Sequence, residues 1–518
     1  MQFIDQLLDR ITMYRVVLYY LIVLLVASSF GSIFGFISYS PQSIILSTLF
    51  IVAVCYATNR IFSRIFEAPT NVESVYITAL ILACIVAPFT KFSDLGMLFW
   101  AGVLAVASKY ILAIHRKHIF NPAAIAVLLL YFAVGHGANW WIGNAFMTPF
   151  IVIGGLLILR KTRREYLAIS FYASSLLLIV AFALIGGTPL LRTFNQVFLH
   201  SSFFFFAYVM LTEPLTSPPT RNLQMIFGFF VGLLFPPQVH ILGLYFTPEL
   251  ALVAGNVLSY FISPKQRLLL HLTEELKIAP DIVDFIFKPK VPLRYTAGQY
   301  LEWTFPHPKT DSRGNRRYFT LASSPTEDTL RIGVKFYENG SSYKRNLAVM
   351  DNSMPIVASQ LAGDFILPKD SNKKLVFVAG GIGITPFRSM LKFLIDTSEK
   401  RDIITVFSNK YSEDIVYKDV LDEAEEKLGI RTIYALTDTD KIPQSWTGEK
   451  GRITSEIIMR QIPDWHERTF YLSGPHLMVT GFEKTLLDMG VSRSHIKKDF
   501  FPWFCMIYNS CKLFLNMV

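Results

Sequence analysis

"KLVFVAGGIGITPFRSM", residues 374–390, decides how the second half of the chain folds. A short apolar run ends in glycines and passes at once into a stretch with helical spacing. It predicts strand, tight turn, helix. Glycines let a backbone come close to a pyrophosphate, and the helix N-terminus favours the anion. Pro386 stands where a first-turn proline does no harm. From Lys373 onward short apolar runs alternate with helical stretches such as "PFRSMLKFLIDTSEK" (386–400) and "SEDIVYKDVLDEAEEKLG" (412–429). That alternation predicts an α/β domain with a parallel sheet over residues 370–518.

Upstream the texture changes twice. "IVDFIFKP" (282–289), "QYLEWTFP" (299–306) and "LRIGVKFY" (330–337) read as strands bounded by turn residues, which predicts a β-rich domain over 264–369. Before a boundary near Pro264 the chain is apolar. Of its 518 residues 52% are hydrophobic and 17% charged, with a mean hydropathy of +0.39. From Tyr14 to Ile262 run about ten apolar stretches, among them "VVLYYLIVLLVASSFGSIFGF" (16–36) and "IILSTLFIVAVCYA" (44–57). A full span needs ~20 residues, so the shorter, glycine- or proline-broken stretches read as half-helices or re-entrant pieces. The fold class expected is multi-domain. An α-helical polytopic membrane domain of about ten spans or half-spans (1–263) precedes an antiparallel β-barrel (264–369) and the α/β domain.

The net charge of +10 comes with lysines and arginines gathered at the ends of apolar runs, as at Arg60/Arg64, Arg160–Arg164 and Lys265/Arg267. This fits inward-facing loops better than a nucleic-acid surface. An even number of spans places both ends on the cytoplasmic side of a cell (inner) membrane, as a multi-pass protein in contact with lipid. The first apolar run is long enough to span, so it reads as a helix and not as a cleaved signal. The four cysteines, Cys55, Cys84, Cys505 and Cys511, include no CxxC pair. Their spacing excludes a recognisable two-iron ferredoxin module and a zinc ribbon.

"RRYFTLASSP" (316–325) carries the chemistry. A flavin dinucleotide offers a pyrophosphate for an arginine, a flat ring for an aromatic side chain, and a ring-edge nitrogen for a hydroxyl. On a strand Arg317 and Phe319 share one face, with Tyr318 and Thr320 on the other. Alone, such a stretch is equally an ordinary strand with an exposed arginine. Four further segments stand around it in order. "YTAGQYLEW" (295–303) precedes it, and "VKFYENGSSYKRNL" (334–347) and "AGDFILP" (362–368) follow. The glycine-rich 374–390 segment comes next.

Together these resemble the ferredoxin–NADP reductase superfamily, whose flavin strand reads Arg-x-Tyr/Phe-Ser/Thr, here Arg317-Tyr318-Phe319-Thr320. The resemblance implies FAD as a cofactor. Arg317 would meet its pyrophosphate, together with the turn of Gly340, Ser341 and Ser342 and with Lys335 nearby. It implies a nicotinamide site at Gly380, Gly381, Gly383, Thr385 and Pro386. "YLSGPHLM" (471–478) occupies the family's Cys-Gly-Pro position, so Ser473 replaces the frequent cysteine before Gly474 and Pro475. Thr320, Thr385 and Ser473 are the residues it places nearest the reacting atoms. "IKKDFF" (496–501) resembles the final strand, which brings Asp499 and Phe500 towards the flavin. The nicotinamide is NADH or NADPH. Lys410 is one candidate for a 2′-phosphate, while Glu413 and Asp414 read as the start of the next helix, which tilts the reading towards NADH.

Electrons leaving such a flavin need a carrier. Haem needs paired histidines on two helices, and His115, His118, His136, His200 and His240 make no such pattern, although a haem ferric-reductase reading stays as an alternative. "RKHIFNPAAIAVLLL" (116–130) combines an N-cap asparagine with a first-turn proline. With "NVESVYITALILACIVAP" (71–88), "GGTPLL" (186–191) and "MLTEPLTSPPTRNLQMIFGFFVGLLF" (210–235), it resembles the RnfD/NqrB-like family, the membrane components shared by the Rnf electron-transport complex and the sodium-pumping NADH:quinone reductase. In that family a threonine carries covalent FMN, and the matching residue is Thr188. Gly187 replaces the family's alanine and the upstream acid is absent, so a non-covalently held FMN or riboflavin stays open beside the covalent form. Thr188 can also be read as a simple helix cap. Glu213, with Thr212 and Ser217, marks a candidate ion or flavin pocket at a broken helix, and Glu73 lies at a helix start.

The function expected is a membrane flavoprotein oxidoreductase. It would pass electrons from NAD(P)H through FAD to a flavin, a quinone or another electron-transport protein. A redox-driven sodium or proton pump is an alternative.

Overall fold

A computed structural model of the chain describes residue 8 and residues 11–66, 72–114, 117–241, 243–263, 268–307, 311, 315–338 and 340–499. The boundary read at Pro264, the basic residues Lys265 and Arg267, and also His115, Phe500, Cys505 and Cys511, lie outside the described residues. The chain divides into two compact units, residues 1–265 with 502–518 and residues 266–501.

The first unit is helical. Its longer helices are α1 (Met13–Ile33), α2 (Pro41–Ile65), α3 (Val72–Ile85), α4 (Leu95–Ile111), α5 (Pro122–Val134), α6 (Thr148–Thr162), α7 (Glu165–Ile185), α8 (Leu190–Leu199), α9 (Arg221–Leu234) and α10 (Pro248–Ile262). Caps set several starts. Asn121 accepts from the amides of Ala123 and Ala124, both at 3.1 Å, with Pro122 in the first turn. Thr247 does the same for α10. Among the described residues four helical segments are long and apolar enough to cross a membrane: Met13–Ile33, Pro41–Ile65, Phe92–Ile111 and Glu165–Ile185. Val72–Ile85, Pro122–Val134, Arg221–Leu234 and Pro248–Ile262 are apolar but shorter. At 1.5 Å per residue such helices fall short of a ~30 Å hydrocarbon layer. Large apolar side chains such as Val26, Phe30, Leu49, Ile169 and Leu177 point outward.

The second unit holds three sheets. Strands β1 (Leu268–Leu270), β2 (Leu272–Ala279), β3 (Ile282–Phe287), β4 (Tyr300–Thr304), β5 (Arg316–Thr320), β6 (Leu330–Lys335) and β7 (Ile356–Ala362) are antiparallel. They form two hydrogen-bonded sheets, ordered β6-β3-β2 and β1-β7-β4-β5, around a shared core of Phe285, Leu301, Trp303, Ile332 and Tyr343. Strands β8 (Leu375–Gly380), β9 (Ile403–Asn409), β10 (Arg431–Leu436), β11 (Glu449–Lys450), β12 (Thr469–Ser473) and β13 (Ile496–Lys498) form one parallel sheet, ordered β11-β10-β9-β8-β12-β13. Helices α11 (Ser342–Leu347), α12 (Thr385–Thr397), α13 (Lys418–Leu428), α14 (Ser455–Gln461) and α15 (His476–Asp488) complete the unit. A second core joins Ala279, Ile282, Ala322 and Phe365 to Phe377, Phe387, Tyr417 and Tyr471, so the antiparallel and parallel sheets pack as one body across the boundary read at 369/370.

Three local readings change. The strand near "AGDFILP" ends at Ala362, and residues 363–368 follow it without strand pairing. The helix read from Ser412 is split: Ser412–Asp414 make one 3-10 turn, and α13 begins at Lys418, after Tyr417, whose backbone is left-handed with φ of +57°. Thr188 does not cap α8: the N-cap is Pro189, and no side chain caps the helix.

Candidate functional site

The strand β5 pairs with β4 in the register Trp303–Arg317 and Glu302–Tyr318. Arg317 and Phe319 share a face, and both meet Tyr343 of α11. The guanidinium carbon lies 5.1 Å and the phenyl centroid 6.1 Å from that ring. Tyr343 is buried just behind the Gly340–Ser341–Ser342 turn, so the turn and the arginine come to one corner. Asp311 shows what that corner accepts. Its carboxylate takes the Ser342 amide at 2.9 Å and stands 3.9 Å from the Arg317 guanidinium. A guanidinium and a backbone amide around one carboxylate are a donor set that suits a phosphate equally well.

On the opposite face Tyr318 donates to Glu302 at 2.7 Å. Thr320 is 5% exposed, and its hydroxyl has no hydrogen-bond partner among the described residues. A buried hydroxyl left unpaired costs ~1–3 kcal/mol. A ligand nitrogen or carbonyl at that spot offsets the cost, so the strand fits a flavin ring edge on chemical grounds. Lys335, at the end of β6, pairs with Asp281 at 3.1 Å and Asp414 at 3.8 Å.

The nicotinamide-type segment is arranged backbone against backbone. A Cβ placed on Gly383 would lie 2.5 Å from the Gly474 Cα and the Ser473 carbonyl. One placed on Gly474, whose φ is +152°, would lie 3.0–3.1 Å from Gly380 atoms. The turn after β8 and the turn after β12 therefore touch, and only glycines allow it. Thr385 opens α12, donating to the Ile382 carbonyl at 3.2 Å, with Pro386 in the first turn. Ser473 donates to Asp499 at 3.0 Å, so the serine in the family's cysteine position is held by the strand-end acid.

The sequence reading missed what ties the two sites. Arg388, in α12 and 5% exposed, forks onto Glu327 with bonds of 2.7 and 3.0 Å and also donates to the Ala322 carbonyl at 2.7 Å. Ser389 donates to the Ser323 carbonyl at 2.6 Å. Residues 322–327 follow directly on β5. The helix that starts at the nicotinamide turn is thus bolted to the end of the flavin strand. Burial alone would raise the Glu327 pKa, but the bonds and charge of Arg388, with the Ser324 amide and Arg331, together hold it below its ordinary value. The available signal was an arginine among the apolar residues of "PFRSMLKFL", facing "SSPTED".

In the helical unit two of the quoted segments, 116–130 and 210–235, meet. Asn121 caps α5, and its own amide donates to the Asn256 side chain at 2.8 Å. Asn256 in turn donates to the Thr216 carbonyl, and Asn121 to that of Met210, both at 3.4 Å. Glu213 lies 3.4 Å from His118 and accepts from Thr216 at 3.1 Å. Ser217 accepts from Arg164. Thr212 donates to the Tyr208 carbonyl at 2.7 Å, inside its own helical turn, and Glu73 pairs with Arg15 at 3.0 Å. Thr188 is exposed at the turn after α7. Elsewhere in this unit a cavity of about 230 Å³ is lined by Val127, Leu128, Tyr131, Trp140 and Glu249, among others. The buried Glu249 carboxylate accepts the Trp140 indole at 2.6 Å.

Comparison with known proteins agrees with the second unit. Residues 377–484 match the family model described as the oxidoreductase NAD-binding domain. A flavohemoprotein of Bacillus cereus is 29% identical over 244 residues, covering 44% of this chain and 60% of that protein. The stachydrine N-demethylase reductase subunit Stc4 of Rhizobium meliloti is 26% identical over 229 residues, covering 43% of this chain and 63% of that protein. The chain thus spans less than two thirds of the curated relatives it matches. The flavohem-like FAD/NAD-binding domain of a nitric oxide dioxygenase from Vibrio cholerae is 20% identical, covering 45% of this chain and 98% of that one, with a TM-score of 0.39. The C-terminal half of the chain is thus similar in sequence to the oxidoreductase NAD-binding domain and to these flavohemoprotein and reductase chains.

Proposed function

We propose that the whole chain is a membrane-bound flavoprotein oxidoreductase that moves electrons from NAD(P)H into a membrane carrier, a flavin or a quinone. The observation that carries the reading is the union, in one chain, of a reductase module with a helical unit holding four helices apolar enough to span. FAD, when bound, supplies the conversion between hydride and single-electron chemistry. Arg317 and the Gly340–Ser342 turn would hold its pyrophosphate, Phe319 would pack against the ring, Tyr318 would brace the strand through Glu302, and Thr320 would offer its hydroxyl to the ring edge. Lys335 pairs with Asp281 and Asp414 at the end of β6. Gly380, Gly381, Gly383, Gly474 and Pro475 shape the nicotinamide cradle. Thr385 and Ser473 stand closest to the reacting ring, and Pro386 stiffens the start of α12.

In the helical unit the Trp140–Glu249 cavity is the natural seat for an acceptor. It joins apolar and aromatic walls to one ionisable group, and such a group within apolar helices is by default functional. Thr188 is the candidate anchor for FMN, covalent or not. The helical unit then resembles the RnfD/NqrB-like membrane proteins, sits in the cell (inner) membrane, and leaves the reductase module in the cytoplasm. A redox-driven ion pump is the second reading, favoured by the Glu213–Thr216–His118 cluster at the broken helix.

Purified full-length chain should contain FAD and show NAD(P)H-dependent reduction of both ferricyanide and a lipid-soluble quinone. Ferricyanide reduction without any membrane-soluble acceptor would remove the membrane part of the reading. Sodium-independent turnover with no gradient in liposomes would remove the pump.

A further inference from the structure

Three side chains on the nicotinamide side converge on one glycine of the flavin side. A Cβ at Gly333, in β6, would lie 2.6 Å from the Tyr417 hydroxyl, 2.9 Å from Ile382 Cδ1 and 3.1 Å from Thr385 Cγ2. Gly333 pairs across the sheet with Asp284 of β3. The fully buried Asp284 carboxylate is also what accepts the Tyr417 hydroxyl. Arg331, two positions before Gly333 and so on the same face, reaches that carboxylate at 3.1 Å.

Tyr417 pays for this contact in backbone strain. Its φ of +57° is left-handed, a conformation that a bulky residue keeps only where its surroundings over-determine it. Its ring is buried, 5.6 Å from the Arg388 guanidinium that bolts α12 to the flavin strand. Ile382 and Thr385 belong to the turn that carries Gly381 and Gly383. That turn therefore rests on Gly333.

We propose that Gly333, Asp284 and Tyr417 form a docking point that sets the nicotinamide-binding turn against the flavin strand, making them positioning residues for hydride transfer. The proposal rests on the reductase reading of this module. Its chemistry is steric and specific. Only hydrogen fits at position 333, and the nearest obstacle to a methyl group is a single hydroxyl oxygen. Removing that oxygen lifts the tightest contact and leaves the side-chain ends Ile382 Cδ1 and Thr385 Cγ2, at 2.9 and 3.1 Å, to yield by a few tenths of an ångström. The two changes should then compensate, which two unrelated destabilising changes do not do.

The test uses the full-length chain and the variants Gly333→Ala, Tyr417→Phe and Gly333→Ala/Tyr417→Phe. Anaerobic rapid mixing with NADH and NADPH gives the rate of flavin bleaching and its dependence on nicotinamide concentration. Amide hydrogen exchange of residues 381–388 in flavin-stripped protein gives a readout independent of turnover. Gly333→Ala is expected to slow the limiting bleaching rate about tenfold or more, since ångström-scale misplacement costs up to ~100-fold. It should also speed exchange across 381–388, while bound FAD per chain stays at the wild-type level. The double variant is expected to recover part of both losses, since the tightest of the three contacts is gone. A Gly333→Ala protein that transfers hydride at the wild-type rate overturns the proposal. So does a double variant no faster than Gly333→Ala, or a loss of FAD from Gly333→Ala that Tyr417→Phe does not restore. A wild-type flavin that neither nicotinamide bleaches would instead overturn the reductase reading itself.

Discussion

The Arg388 guanidinium holds the Glu327 carboxylate in a two-pronged grip of 2.7 and 3.0 Å, joining the helix after the nicotinamide turn to the loop after the flavin strand. Arg388 is buried, so the pair is not a surface ornament. Removing one partner of a buried pair leaves an uncompensated charge and costs about 3–5 kcal/mol. Arg388→Ala is expected to lower the stability of the reductase module by about that amount, toward its lower end because Glu327 keeps some exposure. Chemical denaturation followed by flavin fluorescence measures it.

The same pair gives a pH dependence with a definite sign. Burial pushes the Glu327 carboxyl up, but the bonds and charge of Arg388, the Ser324 amide and the Arg331 charge together bring it below its ordinary value in the folded chain. Its contribution is fully present above the unfolded carboxylate pKa of about 4.3 and is lost as the pH falls through the lower folded value. The denaturation midpoint should therefore drop on acidification through that window. Glu327→Gln should flatten this part of the curve.

Thr320 is expected to act in opposite directions with and without cofactor. Its buried hydroxyl is unpaired among the described residues. Thr320→Val removes that cost and should stabilise the flavin-stripped protein by ~1 kcal/mol. With FAD bound it removes a hydrogen bond to the ring edge and should slow flavin reduction about tenfold, the worth of ~1.4 kcal/mol. Thermal melts of the stripped protein and rapid-mixing kinetics of the loaded one separate the two effects.

Gly383 and Gly474 leave no space for a side chain where their turns touch. Gly383→Ala is expected to weaken nicotinamide binding at least ~10-fold while FAD content is unchanged, because a shifted turn no longer presents its amides to the pyrophosphate. Calorimetric titration with ADP-ribose checks this without turnover.

How much of this was legible in the sequence varied with the range of the forces involved. The strand–turn–helix at 374–390 was readable because period, glycines and Pro386 all act locally. The start of α13 was not, because Tyr417 takes a left-handed backbone that is held by Asp284, 133 residues away. The short helix α11 was hidden inside what reads as a turn. Its cap, Ser341, is visible, but only the burial of Tyr343 and Leu347 shows why six residues stay helical. The Arg388–Glu327 grip spans 61 residues and has no local pattern. In the helical unit hydropathy indicated apolar runs but not where each helix stops. Asn121 and Gly135 bound α5 at 13 residues, which makes it one of the apolar helices among the described residues that are shorter than a full span.

The most direct measurement is an anaerobic titration of purified full-length chain in lipid nanodiscs, followed by flavin absorbance, with NADH or NADPH added first and a lipid-soluble quinone second. The expected result is FAD that is bleached by the nicotinamide and reoxidised by the quinone. A protein that holds no flavin, or whose flavin is bleached but stays reduced when the quinone is added, would contradict electron flow from nicotinamide into the membrane.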